Sequence, residues 1–157
     1  MKRLVLIRFA QCNYEERNGR VGSYLTEAGI HQMSRIFDNL TRVVDTGNNG
    51  IISSTSNRSR RCAEFLGAKF GINFQCHAEL LSSESSPYNP AETLKVIKLN
   101  EHVDTLMVII GKDHAESFPA YFAENYLHKK NILRAHSICP GCAWIIDTQK
   151  PSIHSAP

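Results

Sequence analysis

Three cationic positions stand at the ends of apolar runs. Arg8 follows Leu4-Val5-Leu6-Ile7 directly, Arg58 with Arg60 and Arg61 follows Ile51-Ile52-Ser53-Ser54, and Lys112 follows Leu106 to Ile110 and Gly111. If those runs are strands of one sheet, the three side chains gather beyond a common edge. The planar fork of an arginine matches two oxygens of a phosphoryl group at once, and a lysine adds a point charge. The chemistry such a cluster offers is anion capture, phosphate above all. Charges beside strands are mostly solvated surface groups. Arg8 stands apart from that rule because it continues a wholly apolar run.

Other reactive side chains lie nearby. His114, two residues beyond Lys112, is an acid or base if a loop turns it into the crevice, and otherwise an exposed histidine in the first turn of a helix. Cys12, four residues past Arg8, would be a thiolate nucleophile if cations lower its pKa. Cys139-Pro140-Gly141-Cys142, with His136 three residues earlier, holds ligand types that zinc accepts, but a second pair is missing. Pro140-Gly141 is turn chemistry, and the two cysteines read as structural thiols in that turn. No metal and no cofactor is therefore assigned. Phe118, Tyr121, Phe122 and Tyr126 have the spacing of a buried helix face, not of a base-stacking platform. The arginines between Thr55 and Arg61 have no aromatic among them, so no nucleic-acid partner is expected.

The elements that must position these residues can be read from periodicity. Leu4 to Ile7 and Leu106 to Ile110 are short, rich in β-branched residues and apolar on both faces, as strands covered by helices on each side must be. Ile51-Ile52, Ile72 to Cys76 and Ala143 to Ile146 are weaker strands. Thr26 is a good N-cap, and Ile30, Met33, Phe37 and Leu40 follow at helical spacing. Cys62, Phe65, Leu66 and Phe70 mark a second helix, Ala91 to Leu99 a third and Ala115 to Leu127 a fourth. The Ser, Pro and Asn-rich stretch from Ser82 to Pro90 reads as a surface loop. Strand and helix alternate, which predicts a three-layer α/β/α sandwich with a mostly parallel central sheet. Ligands of open α/β sheets bind beyond the carboxyl ends of the strands, beside helix N-termini, where the three cations fall.

The 157 residues suffice for one domain, expected over residues 1–150 with a tail at 151–157. At 42% hydrophobic and 21% charged, the chain can build a core and is not a disordered one. The net charge of +3 is too small for a nucleic-acid footprint. Apolar runs reach only about a quarter of the roughly twenty residues of a membrane helix, so no membrane partner is expected. Arg8 cuts the first run too short for a signal peptide, and five scattered cysteines suit reduced thiols, so a cytoplasmic location is expected.

Four segments in order carry a resemblance: Leu4 to Ala10, Leu25-Thr26-Glu27-Ala28-Gly29, Ile52 to Glu64 and Val108-Ile109-Ile110-Gly111-Lys112. Together they are similar to the landmarks of the histidine phosphatase superfamily, also called phosphoglycerate mutase-like. The short length and the segment Ile110 to Phe118 resemble small bacterial phosphohistidine phosphatases of the SixA type, and Pro140 to Asp147 resembles their last sheet strand. The resemblance implies a histidine after the first-strand arginine that attacks phosphorus, a second histidine after the glycine of the later strand, and two arginines on the phosphoryl oxygens. By position the arginines are Arg8 and Arg58, while the two histidine positions hold Phe9 and Lys112. Glu79 and Glu84 fall near where some relatives keep a carboxylate proton donor, though the short members manage without one. A phenyl ring has no lone pair with which to form a phosphoenzyme. The expectation is thus a pseudo-phosphatase. Arg8, Arg58 and Lys112 would bind phosphate, or a phosphorylated small molecule or protein, without the usual turnover. The alternative is an active phosphohistidine or phosphoester phosphatase using His114 or Cys12. Cys12 and Arg17 are one residue too close for the loop of cysteine phosphatases.

Overall fold

The computed structural model describes residues 1–17, 20–44, 47–82, 87–130 and 138–156, with the backbone alone at 15–17, 20, 21 and 153. In chain order the first half comprises β1 (Arg3–Arg8), β2 (Cys12–Arg17), β3 (Arg20–Leu25), α1 (Glu27–Leu40), β4 (Asn49–Ser54), α2 (Asn57–Phe70) and β5 (Phe74–His77). A 3₁₀ turn at Ala78–Leu80 leads to α3 (Pro90–Leu99), β6 (Thr105–Ile110), α4 (Lys112–Asn125), β7 (Ala143–Asp147) and β8 (Ser152–Ala156).

The six-stranded sheet runs β5-β4-β6-β1-β7-β8. The pairs β5/β4, β4/β6 and β6/β1 are parallel, whereas β7 and β8 are antiparallel to their neighbours. The two-sided apolar character of β1 and β6 explains their central places. Leu4 and Leu6 of β1, with Leu106, Val108 and Ile110 of β6, face one core, which holds Ile97 of α3 and Phe118 and Phe122 of α4. Val5 and Ile7, with Met107 and Ile109, face the other, which holds Met33, Ile36 and Leu40 of α1 and Cys62 and Leu66 of α2. Successive strand residues point to opposite faces, so one apolar run supplies both cores. The architecture is therefore a mostly parallel sheet with helices on both faces. Among the described residues, no helix is long and apolar enough to cross a membrane.

Local chemistry sets the helix starts. The Thr26 hydroxyl caps α1 by accepting from the Gly29 amide at 3.0 Å, and the Ser56 hydroxyl caps α2 by accepting from Ser59 at 3.2 Å. Asn89 caps α3 just before Pro90, a residue that needs no hydrogen-bond acceptor in the first turn. By contrast α4 follows Gly111, which has no side chain to cap it, so its first amides are left for another acceptor.

The structure departs from the sequence reading in three places. The fourth helix starts at Lys112 and not at Ala115, because the polar Lys112-Asp113 pair can occupy an exposed first turn. The β2/β3 hairpin was not anticipated, since the polar stretch from Cys12 to Leu25 lacks clear alternation. The stretch 151–157, expected as a tail, contains β8, which pairs with β7 from Asp147↔Ser152 to Ala143↔Ala156. The carboxylate of Asp147 accepts from the amides of Gln149 and Lys150 at 2.9 and 2.8 Å, folding the chain back on itself. Ala156 is then buried in the core beneath α1 and α2.

Candidate anion-binding site

Beyond the carboxyl ends of β1, β4 and β6 lies a pocket of about 300 Å³, lined among others by Arg8, Phe9, Ser56, Arg58, Gly111 and Lys112. The structure thus brings the three predicted cations to one cavity. Parallel β1/β6 pairing sets Arg8 beside Ile110, so that the residues following each strand meet. Arg58 comes from the first turn of α2, and Lys112 begins α4.

Each cation is held differently. A terminal nitrogen of Arg8 donates to the Ile138 carbonyl, while its Nε is buried without a hydrogen-bond partner. The backbone of Arg8 is clamped by the turn at 139–142: its amide donates to the Cys142 carbonyl at 3.0 Å and its carbonyl accepts from Gly141 at 3.1 Å. The Arg58 guanidinium lies over the Phe9 ring, 4.5 Å from its centroid. That contact holds the guanidinium against an apolar face and leaves its N–H edge free for an acceptor. Lys112 is exposed. Among the described residues, no carboxylate forms an ion pair with Arg8, Arg58 or Lys112. The one acid among the described residues of the pocket wall, Asp113, accepts from the Ser82 hydroxyl at 2.8 Å. Free guanidinium edges, an ammonium and the uncapped start of α4 together favour an anion.

Phe9 does not collapse this cavity. Its ring passes beside Gly111, where an added Cβ would lie 3.8 Å from a ring carbon, and the pocket remains open in front of it.

The remaining predicted residues lie elsewhere. His114, expected as an exposed residue or a crevice acid, is fully buried and does not line the pocket. Its ring meets Tyr88 edge-on at 4.5 Å, and neither ring nitrogen has a well-formed hydrogen bond. Burial pushes its pKa down to about 4, against a weaker upward pull from Asp113 and the Glu79 backbone. The first turn of α4 winds this side chain inward, toward the core of Phe118 and Phe122. Cys12, on β2, is half-buried and also off the pocket wall. A hydrogen bond from Cys62 is the largest of the influences that lower its thiol to about 7, aided by Ser23, Arg58 and Arg61. Glu79 is exposed beside a separate groove formed with Tyr88 and Pro90. Glu84 and His136 lie outside the described residues.

Cys139 and Cys142 flank a tight turn in which the Cys142 amide donates to the Cys139 carbonyl at 3.1 Å. With proline at the second position and Gly141 at φ 68°, this is a type II turn. Among the described residues, no group of three or more histidine, cysteine or acidic side chains could hold a metal. Burial raises the Cys142 thiol, with Cys139 adding to the effect. A Cβ at Gly141 would come within 2.4 Å of Gln32 Cβ on α1. Replacement of Gly141 by alanine is therefore expected to destabilise the fold by about 2 kcal/mol, from the left-handed backbone and the clash together. Urea unfolding would measure it; an unchanged midpoint would show that the turn bears no strain.

Sequence reading missed two parts of the site. One is the open start of α4, which a glycine between an apolar run and a polar helix start could have signalled. The other is a chain of hydroxyls, Ser54 to Ser56 at 3.1 Å and Ser56 to Ser59 at 2.9 Å, which fixes the α2 turn that carries Arg58.

The chain is similar to known proteins in family and in fold. The family model for the histidine phosphatase superfamily (branch 1) matches residues 4–88. Among curated proteins, none matches the chain in sequence. Of solved structures, a protein assigned as the phosphohistidine phosphatase SixA from Agrobacterium tumefaciens is 18% identical, with a TM-score of 0.71 over 99% of this chain and 98% of that one. A mycobacterial glucosyl-3-phosphoglycerate phosphatase is 12% identical, with a TM-score of 0.67 over 99% and 97%. The alpha-ribazole phosphatase from Shigella flexneri is 15% identical, with a TM-score of 0.64 over 92% and 90%. At these identities the likeness is one of fold.

Proposed function

The chain belongs to the histidine phosphatase superfamily, and we propose that it is a member that binds a phosphoryl group without transferring it through a phosphoenzyme. The observation that carries this reading is the Arg58 guanidinium stacked on the Phe9 ring inside the pocket. The side chain that follows the first-strand arginine orients a phosphate-binding group and has no lone pair to attack phosphorus. Lys112, at the second histidine position, puts an ammonium on the pocket wall. Exchange of one histidine for phenyl and the other for lysine removes the nucleophile and keeps, or increases, the positive charge. The ligand is inorganic phosphate or a phosphorylated small molecule or protein.

Arg58→Ala is expected to weaken binding of phosphate or vanadate by about 10- to 100-fold, the loss of one charge-assisted hydrogen-bonding group. Titration calorimetry with phosphate, vanadate and phosphopeptides measures it. Absence of binding by the parent chain, or equal binding by the variant, would remove the phosphate pocket. Release of phosphate by the parent chain from an aryl phosphate or a phosphohistidine substrate would favour instead an active phosphatase.

A further inference from the structure

Five thiols occur in the chain and all are free. Two of them, fifty positions apart, meet at one residue. The Cys62 Sγ accepts from the Ala10 amide at 3.2 Å, and the Cys12 Sγ lies 3.5 Å from the carbonyl oxygen of the same Ala10. Cys62 is fully buried in the core under α2, and Cys12 is half-buried at the start of the β2/β3 hairpin. One thiol is thus open to a small reagent while the other is sheltered behind it. We propose that Cys12 and Cys62 form a peroxide-sensitive dithiol, in which Cys12 is the residue oxidised first and Cys62 the residue that closes a reversible disulfide.

The electrostatics assign these roles in that order. Hydrogen bonding between the two thiols lowers Cys12, to about 7, and raises Cys62, so near neutral pH Cys12 is substantially thiolate and Cys62 is its proton-bearing partner. Arg58 and Arg61 add positive charge on the Cys12 side. With a hydroperoxide as oxidant, the Cys12 thiolate attacks one peroxide oxygen. The S–O bond forms, the O–O bond breaks and hydroxide leaves, giving a sulfenic acid. The Cys62 sulfur then attacks Cys12 Sγ. The S–S bond forms, the S–O bond breaks, and the departing hydroxide carries off the Cys62 proton as water. Two thiols and one hydrogen peroxide become one disulfide and two waters. The bond would staple the β1–β2 connection to α2 one helical turn from Arg58. It does not depend on the phosphate reading.

The competing pair is Cys139 and Cys142, adjacent in a turn but with the Cys142 thiol raised by burial. The test is treatment of the full chain with stoichiometric hydrogen peroxide, differential alkylation before and after dithiothreitol, and peptide mapping. A reducible Cys12–Cys62 cross-link is expected to dominate. Cys62→Ser should abolish it and leave a sulfenic acid on Cys12 that dimedone traps. Iodoacetamide should alkylate Cys12 at a rate half-maximal near pH 7. A dominant Cys139–Cys142 cross-link would overturn the proposal, as would oxidation of Cys12 to sulfinic acid without a cross-link, or no oxidation of Cys12. Because Cys62 is in the core, circular dichroism of the variant shows whether it folds. If it does not, the cross-link and the alkylation profile of the parent chain decide alone.

Discussion

Phe9→His combined with Lys112→His is expected to give a chain that releases phosphate from an aryl phosphate and from phosphohistidine at least about 10²- to 10⁴-fold faster than the parent, whose release should not exceed background. The scaffold for this gain is in place. Residue 9 leaves β1 directly beside Arg8, and its side chain lies under Arg58, so a ring nitrogen there would face whatever anion the two arginines hold. Residue 112 opens α4 on the same pocket wall, where an imidazole could give up a proton to a leaving group. Loss of the stacked phenyl ring removes a contact worth about 0.5–2 kcal/mol, an affordable change for most folds. Turnover by the double variant with none by the parent would support lost nucleophilicity as the difference. A folded double variant that binds phosphate and remains inert would mean that some further group is missing. Equal turnover by both chains would end the pseudo-phosphatase reading.

What sequence reveals here follows how local each signal is. Buried strands declare themselves: the apolar runs of β1 and β6 serve two cores at once, which no edge strand or loop would require. Arg8 could be placed because it is continuous with such a run, and Arg58 and Lys112 because each follows a strand by a few residues. The stacking of Arg58 on Phe9 could not be read, because it joins residues 49 positions apart whose meeting depends on β1, β4 and α2 being assembled. The β2/β3 hairpin was silent for another reason. Its sequence mixes polar residues with Tyr14, Tyr24 and Leu25 without sustained alternation, and it forms a separate two-stranded sheet. β8 was hidden by its shortness and by Pro151, and only the Asp147 turn betrays it. His114 was misread because a histidine three residues after the glycine that follows a strand looks like a solvent residue. The pitch of α4 turns it inward, and that depends on the helix beginning at Lys112.

That buried histidine should govern the acid stability of the fold. In the folded chain its pKa is pushed to about 4, while in the unfolded chain it returns to about 6.5. Between those values the unfolded state binds a proton that the folded state refuses, so stability is complete above pH 6.5 and falls as pH drops through the window. The slope approaches 1.4 kcal/mol per pH unit, and the loss by pH 4 totals about 3 kcal/mol, a large share of the 5–15 kcal/mol typical of a domain. Asp104 and Asp147, both held below the ordinary carboxylate range, by Lys2 and by the Lys150 amide respectively, add their own loss only at lower pH. Urea unfolding at intervals from pH 4 to 7.5 measures the profile. His114→Phe should flatten the part between pH 4.5 and 6.5. It should also leave stability at pH 7 unchanged or higher, because the variant buries no ring nitrogen in place of two that lack good partners. A slope that persists in the variant would place the titrating group elsewhere, and a large loss at pH 7 would mean that the ring nitrogens are satisfied by bound water.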